Sequence, residues 1–112
     1  MEVSRHTDIT KDFKDLRRFL TPEESLEAWE RLFVLKGLEE TPGIDQMSGF
    51  GLRKIYKARV VPLKENIGKS KGYRVIFEMI DGKCYKIIVF SRHGIYHTEN
   101  DLLKLIKERL EN

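Results

Sequence analysis

Two apolar runs, Tyr73 to Ile80 and Cys84 to Phe90, dominate the chain and flank the pair Asp81-Gly82. The glycine tolerates the positive φ of a tight turn, so the pattern predicts an antiparallel hairpin. Nearly every position in it is apolar, as expected for the middle of a sheet, and the exceptions are Arg74, Glu78 and Lys86. Side chains alternate across a strand, which puts Arg74, Ile76 and Glu78 on one face and Tyr73, Val75, Phe77 and Met79 on the other. A further strand is predicted from Leu52 to Val61, ended by Pro62. It places Leu52, Tyr56, Ala58 and Val60 on one face and Arg53, Ile55, Lys57, Arg59 and Val61 on the other.

Helical spacing appears on either side of these strands. Phe13, Leu16, Phe19 and Leu20 recur at a period that predicts a helix capped by Thr10 and running to Leu20, with Asp12 among its wet positions. Thr21-Pro22-Glu23-Glu24 is a start signal: Thr21 caps, Pro22 suits the first turn and Glu24 completes a capping box. Leu26, Trp29, Leu32, Phe33 and Leu38 are the buried stripe of this second helix, which Gly37 and Thr41-Pro42-Gly43 end. Thr98 to Asp101 opens a last helix with Leu102, Leu103, Ile106 and Leu110 inward, and a helix at a chain end is the element most easily displaced. Met1 to Asp8 alternates weakly enough to be at most a short strand. Gly43 to Gly51 reads as a loop, and so does Leu63 to Lys71. The order predicts α+β architecture: an N-terminal αα-hairpin packed on one face of a mostly antiparallel β-sheet, a C-terminal helix, and an open second face.

At 112 residues the chain is expected to be a single domain spanning 1–112. No apolar run is long enough to cross a membrane, no leader is apparent, and Cys84 sits alone in an apolar strand, so the expected location is cytoplasmic. The net charge of +3 is unevenly spread: eight Lys or Arg fall between Arg53 and Arg74 against a single acid, Glu65. Lys57, Arg59 and Arg74 are predicted to share a sheet face, a possible clamp for a phosphate, although cations on an open face also serve solubility and edge protection. His93 and His97 lie four apart with Gly94 between them and no third ligand nearby in sequence, so neither a metal nor another cofactor is expected. Cys84 and Trp29 read as core, and Glu78 as a cross-strand partner for a residue such as Lys86.

The element order, with I-Y-K-A-R on one strand, G-Y-R-V-I-F on the next, and K-I-I-V-F followed by Arg92, resembles the RelE/ParE toxin superfamily. The resemblance spans essentially the whole chain and is best from Leu52 to Leu110. It implies a small toxin of a toxin-antitoxin system, neutralised by an acidic antitoxin protein. RelE-type members cut messenger RNA on the ribosome, and ParE-type members act on DNA gyrase. Carried over by position, Lys57 and Arg74 would be the principal catalytic pair, with Arg59 beside them. Arg92 and Tyr96 would be the further arginine and the base-stacking aromatic. The implied activity is a metal-independent endoribonuclease, or mRNA interferase, using the ribose 2′-hydroxyl. The alternative is a non-catalytic gyrase inhibitor or a degenerate toxin that only binds its antitoxin.

Overall fold

In the computed structural model, residues 1–65, 72–92, 94–95 and 98–111 are described. The elements are β1 (Glu2–Arg5), α1 (Ile9–Asp15), α2 (Pro22–Glu40), β2 (Ile44–Met47), β3 (Lys54–Val60), β4 (Tyr73–Met79), β5 (Cys84–Arg92) and α3 (Glu99–Leu110). They form an α+β fold around a five-stranded sheet of order β1-β5-β4-β3-β2. The sheet is mixed. β1 runs parallel to β5, and the remaining neighbours are antiparallel. Among the described residues no helix is long and apolar enough to cross a membrane.

Several expectations change. The chain opens on a strand that joins the sheet, and α1 packs on β5 while α2 packs on β1 and β3. The helices thus meet the sheet separately, and the αα-hairpin is not clearly formed. The first helix ends at Asp15 rather than Leu20, and Thr10 donates its hydroxyl to Thr7 O instead of capping. Thr21 adopts a left-handed conformation and makes no cap; its Oγ1 donates to Leu63 O at 2.7 Å, holding the segment after β3 against the start of α2. The loop expected between Gly43 and Gly51 contains the edge strand β2. At the hairpin Gly82 is not among the positive-φ glycines, and the turn is organised by Asp81, whose Oδ1 accepts the N–H groups of Lys83 and Cys84.

Apolar residues lie on both sheet faces. Ala58, Val60, Tyr73, Val75, Phe77, Tyr85, Ile87 and Phe90 pack with Ile9 and Leu16 near α1 and with Leu26, Trp29 and Phe33 of α2. Phe77 joins the rings, with centroids 5.5 Å from Trp29, 5.1 Å from Phe33, 5.4 Å from Tyr56 and 6.0 Å from Tyr85. The second face was expected to stay open. Instead α3 lays Leu102 and Ile106 on Ile55, Ile76, Ile88 and Val89.

One irregularity organises the rest. Ile76 pairs with Val89 while Phe77 pairs with Ile87, so Ile88 is an extra residue and β5 carries a bulge. There β1 has run out: His6 donates its N–H to Ile87 O, and no strand residue follows. Two side chains take over the edge. The Asp12 carboxylate accepts the Phe90 N–H at 2.8 Å, and Arg109 Nη1 donates to Ile88 O at 2.9 Å. The two also meet each other, Nη1 and Nη2 donating to the two carboxylate oxygens at 2.7 Å each. Asp12, expected on a wet face, is 2% exposed and Arg109 6%. Burial pushes the Asp12 carboxyl up, against the opposing pull of Arg109 and the Phe90 N–H.

Candidate functional site

Pairing register decides which cations meet. Ile55 is buried under α3, and Lys57 and Arg59 follow it at alternate positions on the same face of β3. On β4 that face carries Glu78, Ile76 and Arg74 in turn. Arg59 lies directly opposite Arg74, and Lys57 opposite Ile76. Asp45 of β2 stands opposite Lys57 on the other side, and Ser91 of β5 opposite Arg74. Two rows therefore cross the sheet next to the apolar patch under α3: Asp45, Lys57, Ile76, Val89, and then Arg59, Arg74, Ser91. Arg59 is exposed, and Lys57 and Arg74 are half-buried.

This arrangement brings together three of the predicted residues. Placing two arginines side by side across strands costs repulsion unless an anion lies between or above them. Guanidinium groups give planar donors suited to phosphate oxygens, and the neighbouring lysine adds a mobile ammonium.

Arg92 does not join them. Strict alternation from Lys86 would have put Ile88, Phe90 and Arg92 on the cation face, but the extra residue at Ile88 reverses the phase. Arg92 instead pairs opposite Tyr73 and lies on the face covered by α1 and α2, 8% exposed. Its guanidinium sits 4.2 Å from the Phe19 ring centroid and 4.9 Å from that of Tyr73. Both ends of its fork donate to the Glu65 carboxylate, at 2.8 and 2.6 Å. Tyr96, His93, His97, Lys69 and Lys71 lie outside the described residues.

The arginine holds the Glu65 carboxyl below its ordinary value of 4.5, chiefly through these hydrogen bonds. A carboxyl whose folded value is depressed lends stability above the unfolded value, and that stability is lost as pH falls through the folded one. Glu65→Gln is therefore expected to lower the urea midpoint at pH 7 and to leave a smaller further loss between pH 5 and 3 than wild type shows. Parallel acid limbs for the two proteins would refute this account of the pair.

Glu78 also differs from expectation. It faces Lys86 in register, yet its carboxylate accepts from Arg53 Nε at 2.6 Å and Nη2 at 2.8 Å. Arg53 Nη1 reaches on to Leu110 O at 3.3 Å, tying the end of α3 to the sheet. Sequence reasoning did not single out Asp45 and Ser91, which share the cation face. Asp45 was hidden because β2 was not recognised as a strand, and Ser91 because the bulge sets its parity. Among the described residues no group of three or more His, Cys, Asp or Glu is placed to hold a metal ion. Compared with known proteins, the chain matches no family model, no curated protein and no solved structure.

Proposed function

We propose that the protein is a RelE-like toxin, a metal-independent endoribonuclease that cuts messenger RNA on the ribosome and is restrained by an acidic antitoxin in the cytoplasm. The observation carrying this reading is the shared face of Lys57, Arg59 and Arg74, with the two arginines paired across β3 and β4. In this chemistry the ribose 2′-hydroxyl loses its proton and its oxygen attacks phosphorus, the bond to the 5′-oxygen breaks, that oxygen takes up a proton from solvent, and a cyclic phosphate and a 5′-hydroxyl remain. Negative charge grows on the phosphoryl oxygens, where Arg59 and Arg74 would act most strongly. Lys57 is assigned to the 2′-hydroxyl proton, with Asp45 opposite it in register.

The test is induced expression in growing cells, with transcripts mapped for 5′-hydroxyl ends. Arg74→Ala is expected to reduce cleavage on the order of 10²-fold, the scale for losing one transition-state donor, while the melting temperature of the purified variant shows that it folds. Growth arrest and cleavage undiminished in folded Arg74→Ala would reject the site. The burial of Arg92 against Glu65 favours a second reading, because it takes the expected further arginine off the cation face. In that reading the protein only binds gyrase or its antitoxin, and expression produces DNA damage or filamentation without cut transcripts.

A further inference from the structure

The sheet ends on two strands whose outer edges are treated differently. α2 packs on β1, and Arg5 Nε of β1 donates to the Glu30 carboxylate of α2 at 3.0 Å. β2 stands last at the other end, and among the described residues no strand lies on its outer side. A bare edge offers its backbone groups to any second strand, and proteins ordinarily guard it with lysine, proline or a bulge. The strand Ile44–Met47 has none of these: its residues are Ile, Asp, Gln and Met, and it pairs with β3 without interruption.

The ladder decides which groups face out. The Arg59 N–H donates to Gly43 O at 3.2 Å, so Gly43 and Arg59 form a hydrogen-bonded pair. In an antiparallel ladder such pairs alternate, which makes Asp45 with Lys57 and Met47 with Ile55 the next ones in this register. The N–H and C=O of Ile44 and Gln46 therefore point away from β3, and Ser48 follows them in phase. Among the described residues neither Ile44 nor Gln46 has a backbone partner on that side.

A second copy of this edge fits these groups in one register better than in its neighbours. Two-fold pairing about Gln46 sets Gln46 against Gln46, Ile44 against Ser48 and Asp45 against Met47. Every outward N–H and C=O from Ile44 to Ser48 then finds a partner, and no like charges meet. Pairing about Asp45 would set two carboxylates face to face. Pairing about Ile44 would need an N–H from Pro42 and an extended Gly43, whose φ is 79°. Pairing about Met47 runs into Gly49, whose φ of 91° ends the extended segment.

We propose that β2 pairs with β2 of a second copy of this chain, antiparallel about Gln46, joining the two sheets into one. The two-fold axis is then normal to the sheet, so Lys57 and Arg59 of both copies lie on the same side. The inference is independent of the RNA-cutting reading. So short an edge buries far less surface than a permanent dimer does, and the pairing is set by concentration.

Sedimentation equilibrium of the full chain is expected to show half-dimerisation at about 0.1 mM, the level of a contact built on one short edge. Hydrogen exchange supplies a signature that dimers through other surfaces lack. Between about 10 µM and 1 mM protein the Ile44 and Gln46 amides should slow about fourfold as the monomer fraction falls, while those of Asp45 and Met47, already bonded to β3, should not change. Gln46→Pro removes the central donor without touching a bond to β3, and should stay monomeric throughout that range. If that variant does not fold, Ser48→Pro, outside the strand, carries the test by weakening dimerisation about tenfold. A wild-type chain that stays monomeric, a dimer whose Ile44 and Gln46 amides exchange as in the monomer, or a folded variant that dimerises as wild type does overturns the proposal. An added extended peptide that slows those amides while the chain alone stays monomeric also overturns it, by giving the edge to a different protein.

Discussion

Arg109→Met is expected to destabilise the protein by about 3–5 kcal/mol, the range for breaking a buried ion pair from one side. The guanidinium supplies two donors to the Asp12 carboxylate, and it also caps Ile88 O. Without it, a carboxylate inside the fold keeps, among the described residues, the Phe90 N–H as its donor. Burial already pushes that carboxyl up, and the variant removes the group opposing the rise, so Asp12 should take a proton in the folded variant more readily than in the unfolded chain. The variant should therefore recover part of its loss as pH falls from neutral toward the unfolded value, because proton uptake by the native state favours folding. A double replacement, Asp12→Leu with Arg109→Met, should not restore wild-type stability. Both residues stand in for missing strand rungs, and each orphaned backbone group costs about 1–3 kcal/mol. Urea denaturation at several pH values reads all of this. A loss below about 1 kcal/mol for Arg109→Met would show that the pair is incidental. Hydrogen exchange adds a local readout: with the clip removed, amides from Leu102 to Leu110 should open well below global unfolding, while those of Tyr73 to Met79 should not.

The parts of the fold that could be read from the chain are those with a sustained period. β3, β4 and β5 are long and apolar on the inward face, and α2 and α3 repeat their apolar positions over three or more turns. β2 was not legible because it has four residues, only half-buried at its two ends, so no alternation accumulates. Its strand character comes from pairing with β3 rather than from local propensity. The bulge was invisible for the opposite reason. From Ile87 to Phe90 every residue is apolar and buried, so an inserted position leaves no polar marker, yet it decides the face on which Arg92 emerges. Asp12 lacked a local signal altogether, since the arginine that justifies its burial lies 97 residues away. Lys57, Arg59 and Arg74 were placed correctly because β3 and β4 pair without interruption from Lys54 to Val60, so alternation alone fixes their common face.

Gly72 stands immediately before that register, which opens on the Val60–Tyr73 pair, and Gly72→Ala is expected to cost about 3 kcal/mol, the upper end of the range for overpacking. A methyl group there would stand 2.6 Å from the backbone oxygen of Val60 and 2.6 Å from Cδ of Pro62. Neither neighbour can yield cheaply. Val60 is paired with Tyr73 in the β3–β4 ladder, and the Pro62 ring is rigid. Just beyond, Leu63 is held at both ends, its N–H donated to Ser25 Oγ and its carbonyl accepting from Thr21 Oγ1. The strain must then be relieved by shifting the start of β4, which carries Tyr73 into the core and Arg74 onto the cation face. Gly82→Ala is the matched control, since a methyl group there meets nothing within 4 Å, and its effect should stay within about 0.5 kcal/mol. Thermal melts of the two variants side by side decide the matter: a fall of about 10 °C or more is expected for Gly72→Ala and almost none for Gly82→Ala. Equal melting temperatures would mean that the crossing of Gly72 over Val60 and Pro62 is loose. Arg74 would then owe its place opposite Arg59 to the rest of the ladder and not to this glycine.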